Sequence, residues 1–328
     1  MRRRVLRRPR PRLAATWRQW VQENLAHGGD ADEITAVLVD EGVPVVQARA
    51  IVRQACRAPA TATARAWAQV ARLRAELRAP QIERVPFPGV EALNRRYWDT
   101  NTAVCFDGFA RTWPACSRWQ PSYFADEFGE VSVEACVGRS ADAEPDINAA
   151  SLREKMSMAE FVARVEAAGV SNDLYLIAGN GNSRTDEFAP LFDDVLPPPG
   201  LFSPEHLRSS SALWFGPAGT ITALHHDTSN ILFCQIWGRK RVRLAPPDNA
   251  LLLPLARGLY NHVDPRDPAP EHEDAAGSMF EVLLGPGDAL FIPVGWWHHV
   301  EALDVSISLA LNGFARENAY PWFLPGRR

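Results

Sequence analysis

The sequence predicts an α+β protein, a small helical N-terminal unit followed by a sandwich or barrel of short strands. Two observations carry this. Up to about residue 79 the apolar residues recur at helical spacing between Gly and Pro breaks; from Val85 onward short apolar or alternating runs are separated by Pro and Gly turns. The length of 328 residues suits one large domain and one small one, and 46% hydrophobic with 23% charged residues is ordinary for a globular chain.

The first twelve residues, Met1–Arg12, hold seven arginines and no acid, so the rest of the chain carries a net charge near −11. We read residues 1–12 as a disordered basic tail, with a tether for nucleic acid as the sharper alternative. No apolar stretch follows that would make it a signal peptide, and no run reaches the length of a membrane span. The five cysteines, Cys56, Cys105, Cys116, Cys136 and Cys234, are scattered with no Cys-X-X-Cys pair. Their pattern suggests reduced thiols in a cytoplasmic protein rather than a disulfide frame or a zinc site.

Residues 13–79 read as a helical domain. Leu13–Ala26 places Trp17, Trp20, Val21 and Leu25 near one face, and Gly28-Gly29 ends it. Asp30 and Asp32 offer caps for a helix over Glu33–Asp40, Gly42-Val43-Pro44 is a break, and Val45–Cys56 and Thr63–Arg78 are further helices. A boundary falls near Ala79-Pro80, leaving 80–328 as the second domain. There, Val131–Val137 alternates like a strand, Ser157–Ala168 opens on a Ser-X-X-Glu capping pattern, and Leu174–Ala178 is a short strand. Beyond Ala212 strands dominate, at Leu213–Phe215, Ile231–Trp237, Lys240–Leu244, Ala289–Ile292 and Val305–Phe314.

The chemistry concentrates in Thr222-Ala-Leu-His225-His226-Asp227. On a strand, residues two apart share a face, so His225 and Asp227 point together and His226 points away. A metal site needs a third ligand, and the other dense histidine pair is His298-His299, after Gly285-Pro-Gly-Asp288-Ala-Leu-Phe-Ile-Pro293. Two histidines and one carboxylate form the facial triad of non-haem iron, which leaves positions open for a bidentate 2-oxo acid and dioxygen. Parity does not choose between His298 and His299. Trp237-Gly238-Arg239-Lys240 reads as a two-residue hairpin turn. With a bulge-free strand from His225, that turn places Lys240 on the face of His225, Asp227, Phe233, Gln235 and Trp237. In Val305–Phe314, Ser306, Ser308, Ala310 and Asn312 share one face, which suits a wet pocket, and Ile307, Leu309 and Leu311 share the other.

Three blocks stand in order: Thr-X-X-His-X-Asp, Gln-X-X-Gly-X-Lys, and Gly-X-Gly-Asp-X-Leu-X-Ile-Pro-X-X-Trp-Trp-His. Together, over Ser210–Phe314 and more weakly back to Val85, they resemble the JmjC-type cupin-like 2-oxoglutarate oxygenases, in particular the factor-inhibiting asparaginyl hydroxylase group. The resemblance implies a double-stranded β-helix (jelly-roll, or cupin) core with flanking helices. It implies that His225, Asp227 and His298 hold Fe(II), and that Lys240, Thr222, Tyr175 (in Leu174-Tyr175-Leu176) and Asn312 bind 2-oxoglutarate. Dioxygen is then the oxidant, succinate and CO2 are released, and a side chain of a protein or peptide is hydroxylated. One position departs from the group: where it carries Asn six residues after the first metal His, this chain has Ile231, with Asn230 beside it. Trp296, Asn180, Asn182, Arg184 and the loop Tyr260–Asp274 are candidates to face the substrate. Three alternatives remain: a metal cupin that does not use 2-oxoglutarate, an oxygenase directed at nucleic acid, and a non-catalytic binding module. The oligomeric state is open.

Overall fold

The computed structural model describes residues 14–26, 29–57 and 59–325, so the basic run Met1–Arg12 lies outside the described residues. The chain forms two compact units. The first ends at Ala79 and takes in 248–250; the second comprises Pro80–Pro247 and the residues from Leu251 on.

The first unit is helical, with α1 (Ala14–Ala26), α2 (Ala31–Asp40), α3 (Val45–Arg57) and α4 (Pro59–Leu77). Asp30 caps α2, its Oδ1 accepting from the backbone N–H groups of Asp32 and Glu33 at 2.8 and 3.0 Å. Trp20, Val21 and Leu25 of α1, Ile34 and Leu38 of α2, and Ala48, Val52 and Ala55 of α3 form its core.

The second unit is built on strands. β1 (Glu83–Val85) and β2 (Val104–Phe106) come first; β3 (Ser132–Val137), β4 (Arg153–Ser157) and β5 (Leu174–Tyr175) make a three-stranded sheet in the order β4-β3-β5. A helix over Met158–Ala167 follows β4, and Ser157 Oγ accepts from Glu160 N–H at its start. Then come β6 (Ser211–Gly216), β7 (Ile221–His225), β8 (Ile231–Trp237), β9 (Lys240–Ala245), β10 (Ala256–Arg257), β11 (Tyr260–Asn261), β12 (Phe280–Leu284), β13 (Ala289–Ile292), β14 (Trp297–Ala302) and β15 (Ser306–Leu311). With β1 and β2 they form two six-stranded sheets, ordered β1-β2-β13-β8-β15-β6 and β10-β11-β7-β14-β9-β12. From β6 to β9 and from β12 to β15 successive strands alternate between the sheets. That alternation makes a double-stranded β-helix, and with the helices the class is α+β.

Burial explains the sequence pattern. One face of the first sheet, with Phe233, Leu290 and Ala310, packs inward against Val242, Leu244, Val282 and Val300 of the second. Its other face, with Phe215, Leu232, Cys234, Ile236, Phe291, Ile307, Leu309 and Leu311, packs against Trp98, Trp119, Phe124 and Phe161. A sheet covered on both sides reads as continuous apolar runs, as Ile231–Trp237 and Ala289–Ile292 do. The second sheet meets solvent at its edge strand β12, where Leu283 is exposed, and there the residues alternate.

Two expectations are corrected. Trp237–Lys240 is not a hairpin: β8 pairs with β13 and β15, whereas β9 pairs with β12 and β14, so the segment is a corner between sheets. Gly238 makes the corner feasible. Its φ is +68°, and a Cβ there would lie 2.2 Å from the carbonyl oxygen of Val305. The strand from His225 also does not run on into β8, because β7 and β8 lie in different sheets, and β7 is itself bulged against β14 between the His225–His298 and Thr222–Val300 pairs.

Gly238→Ala should therefore lower unfolding free energy by about 3 kcal/mol or more, from a left-handed φ plus an immovable backbone clash. Gly200→Ala, with φ +78° but nothing within 4 Å of the added Cβ, should cost only about 1 kcal/mol. Urea titration of the two variants checks the difference.

Candidate metal centre and the cavity beside it

The site is assembled from the ends of two neighbouring strands. His225, the last residue of β7, pairs directly with His298 in β14, and their ring centroids are 4.1 Å apart. Asp227, two residues past β7, closes the triangle: its Oδ2 lies 3.9 Å from His225 Nε2 and 3.4 Å from His298 Nε2. Among the described residues this is the one cluster of three such groups whose ligand atoms lie within 4.8 Å of one another.

Each imidazole is oriented from behind by the same device. His225 Nδ1 hydrogen-bonds the carbonyl oxygen of Ala223 at 2.8 Å, and His298 Nδ1 that of Trp296 at 2.9 Å. A carbonyl only accepts, so both Nδ1 atoms carry the proton and both Nε2 atoms present a lone pair to the centre. Burial and the neighbouring His298 push the His225 imidazole down to about 4, so it is neutral at neutral pH. Burial alone raises the Asp227 carboxyl, but His298 and His225 outweigh it and hold it at about 2. Two imidazoles and one ionised carboxylate, all aimed at one point, are a donor set that fits a divalent transition metal.

His226 points away from the centre and is buried, its ring edge-on to Trp297 at 4.8 Å and facing Phe323 at 5.4 Å. His299 is also turned away. It is buried beside a second cavity of about 340 Å³ whose lining includes Tyr260 of β11 and Asp264 and Arg266 of the loop that follows, and burial lowers its imidazole to about 3. The bulge in β7 has a direct effect on the site. It lets Thr222 and His225, three residues apart, face the same cavity.

That cavity, of about 150 Å³, runs inward from the triad. Its walls include Trp214, Phe233, Val300 and Ala310, with Tyr175, Thr222, Asn312 and Arg184 as polar members. Lys240 stands behind Tyr175 and Phe233. It is fully buried, its Nζ is 3.1 Å from Tyr175 Oη and 5.3 Å from the centre of the Phe233 ring, and burial pulls its ammonium down to about 7. It makes no ion pair with any described residue. A buried cation lacking an anion is costly, which makes the position a candidate for receiving an anionic group.

The structure also shows how the motifs work. Gln235 Nε2 donates to the carbonyl oxygens of Trp237 and Gly238, at 2.7 and 3.0 Å, and its Oε1 accepts from Ser308. It thereby pins the corner that delivers Lys240. In the Gly-X-Gly-Asp block Asp288 accepts from the N–H groups of Gly108 and Gly285 and pairs with Arg84, a structural role away from the triad. Ile231 lines the cavity where the resembled group carries Asn, and Asn230 is turned aside.

Several proposed substrate-facing residues serve the fold instead. Trp296 Nε1 donates to the Asn101 carbonyl, Asn180 Oδ1 accepts from Ile177 N–H, and Asn182 bridges both backbone groups of Glu134. Arg184 does line the cavity, at its exposed edge. Sequence reasoning missed Arg139, which is wholly buried and pairs with Asp146 at 3.1 Å, its guanidinium lying 5.5 Å from the Tyr175 ring. Asp146 in turn accepts from Ala223 N–H at 2.7 Å.

A family model for the cupin-like domain matches residues 90–316. The chain is 27% identical over 240 residues to lysine-specific demethylase 8 of Xenopus tropicalis, covering 70% of this chain and 52% of that protein. It is 26% identical over 245 residues to lysine-specific demethylase JMJ30 of Arabidopsis thaliana, covering 71% and 55%. Over 103 residues it is 37% identical to Jumonji C domain-containing protein 5 of Drosophila melanogaster, covering 30% and 26%. The chain thus spans about half the length of the first two relatives. With the match extending over residues 90–316 of 328, the chain belongs to the cupin-like domain family.

Proposed function

We propose that this protein is an Fe(II)- and 2-oxoglutarate-dependent oxygenase that hydroxylates a side chain of a protein or peptide. One observation carries the proposal. A His-Asp-His cluster lines one small cavity of a size suited to a five-carbon diacid, and directly behind its Tyr175 and Phe233 walls stands a buried lysine with no ion-pair partner among the described residues. A metal cupin that does not use 2-oxoglutarate has no need of such a lysine. The names of the relatives, two of them lysine-specific demethylases, support a polypeptide substrate.

In this reading His225, Asp227 and His298 hold the iron, which when bound supplies the chemistry that couples dioxygen to 2-oxoglutarate. The chain's own residues bind and orient. Lys240 and Tyr175, with Thr222 beside them, receive the distal carboxylate, a charge-assisted contact in a dry setting. Trp214, Phe233 and Val300 enclose the carbon chain and exclude water, and Asn312 adds a polar group to the same wall. Overall, 2-oxoglutarate, dioxygen and a substrate C–H give succinate, CO2 and C–OH. Hydroxylation of an N-methyl carbon by the same balance would lead to demethylation.

Anaerobic addition of Fe(II) and 2-oxoglutarate to the purified protein should give a visible charge-transfer band, absent in Asp227→Ala. Iron binding without the band would point to a cupin that does not use 2-oxoglutarate, and no iron binding to a non-catalytic module.

Lys240→Met should weaken 2-oxoglutarate binding by about 3 kcal/mol, on the order of 100-fold, while iron affinity is retained. The pH dependence has a definite sign. Only the ammonium form binds the carboxylate, and burial holds the free ammonium at about 7, so affinity should fall about tenfold per pH unit above that value. Calorimetry at pH 8 in buffers of different ionisation enthalpy should register uptake of close to one proton, and Lys240→Met should abolish it.

A further inference from the structure

The segment after β15 is not a trailing end. Asn318 Oδ1 accepts from both the backbone N–H and the side-chain Nδ2 of Asn230, each at 2.8 Å. Asn318 Nδ2 donates to the carbonyl oxygens of Asn230 and Asn312, each at 2.9 Å. Asn230 Oδ1 accepts from Val294 N–H at 3.0 Å. This one pair of amides therefore joins three stretches of backbone.

Each stretch carries part of the site. The loop 226–230 carries Asp227. The turn 293–296 meets that loop again, since Gly295 N–H donates to the Asp227 carbonyl at 3.1 Å, and the Trp296 carbonyl at its end orients His298. The end of β15 carries Asn312. Two further contacts press the same segment onto the loop and turn. Tyr320 N–H donates to the Thr228 carbonyl at 2.8 Å, and Phe323 packs over His226 and Gly295, where a Cβ would lie 2.6 Å from its ring. Asp227 lies outside any strand, so no ladder fixes its distance from His298.

We infer that Asn318 is a positioning residue that sets Asp227 against His298, making the segment from Asn318 to Phe323 part of the metal site although it contributes no ligand. The inference rests on the metal reading above. It goes beyond that reading because Asn318 itself belongs to none of the three motif blocks. An amide is required: Asn318 both donates and accepts, and a carboxylate can only accept. Loss of a group that orients ligands from outside the coordination shell costs on the order of 10–100-fold in metal affinity.

The test is titration of the apo-protein with Co(II), following the visible d–d bands, for the parent, Asn318→Ala, Asn318→Asp and the exposed neighbour Glu317→Ala, with a melting curve of each apo-protein. The expected result is at least tenfold weaker Co(II) binding and an altered band envelope for Asn318→Ala, a similar change for Asn318→Asp, and parent-like binding for Glu317→Ala. Parent-like Co(II) affinity and spectrum in a folded Asn318→Ala, or in a folded Asn318→Asp should the alanine variant not fold, would overturn the inference while leaving the metal reading intact. Weakened binding with an unaltered band envelope would reduce Asn318 to a general stabilising role and likewise overturn it. Absence of Co(II) binding by the parent would overturn the metal reading, and the inference with it.

Discussion

The site depends on one antiparallel pairing, that of β7 with β14 in the middle of the second sheet. It sets the His225 and His298 rings 4.1 Å apart at the strand ends. Each imidazole is turned so that its Nε2 faces the point that Asp227 also faces. The orienting bond is the same in both cases, from Nδ1 to the carbonyl two residues earlier. Backbone geometry therefore sets tautomer as well as position. Asp227 adds the one negative charge, which the arrangement keeps ionised.

Across the cavity the opposite problem is posed. Lys240 is a cation with a phenol and an aromatic ring as neighbours and no carboxylate partner among the described residues. Both ends of the site are thus electrostatically incomplete, one suited to a cation and the other to an anion, with an apolar passage between. Such a site lowers the stability of the ligand-free fold and gains it back on binding. A cation held at one end and a diacid spanning the passage would complete both.

Much of this was legible in the sequence, for identifiable reasons. His225 and Asp227 are two apart, and the Trp-Trp-His block is a dense local pattern, so the cluster could be read without knowing the topology, although the choice of His298 over His299 came from the family resemblance. Lys240 was reached through the resemblance of its Gln-X-X-Gly-X-Lys block and through a geometry that proved mistaken. Trp-Gly-Arg-Lys has the composition of a hairpin turn, and only the carbonyl of Val305 packed against Gly238 reveals a corner between sheets. The β7 bulge was equally hidden, since an extra residue in a strand leaves no mark on the pattern of residue types. Asn318 and Arg139 gave no signal because their partners are largely backbone groups and residues remote in sequence. Conversely, Asn180, Asn182 and Trp296 attracted attention as polar or aromatic residues near the motifs, and the structure gives each a backbone partner.

These buried polar residues have a common physical origin. In a double-stranded β-helix the chain leaves one sheet for the other at nearly every strand end, and the backbone groups at each crossing lose their ladder partners. Side chains replace them. Gln235 serves the corner at 237–238, Asp288 the turn at 285–288, Asn172 and Asp146 the N–H groups of Ile221 and Ala223, and Asn230 with Asn318 the loop after β7. The ligands sit at those same strand ends. A residue that satisfies the backbone at a crossing therefore also fixes where a ligand points, so structural and functional polar residues cannot be separated here by residue type. Whether a given staple matters to the chemistry depends on which crossing it closes: Asp288 closes one away from the triad, whereas Asn230 and Asn318 close the one from which Asp227 projects.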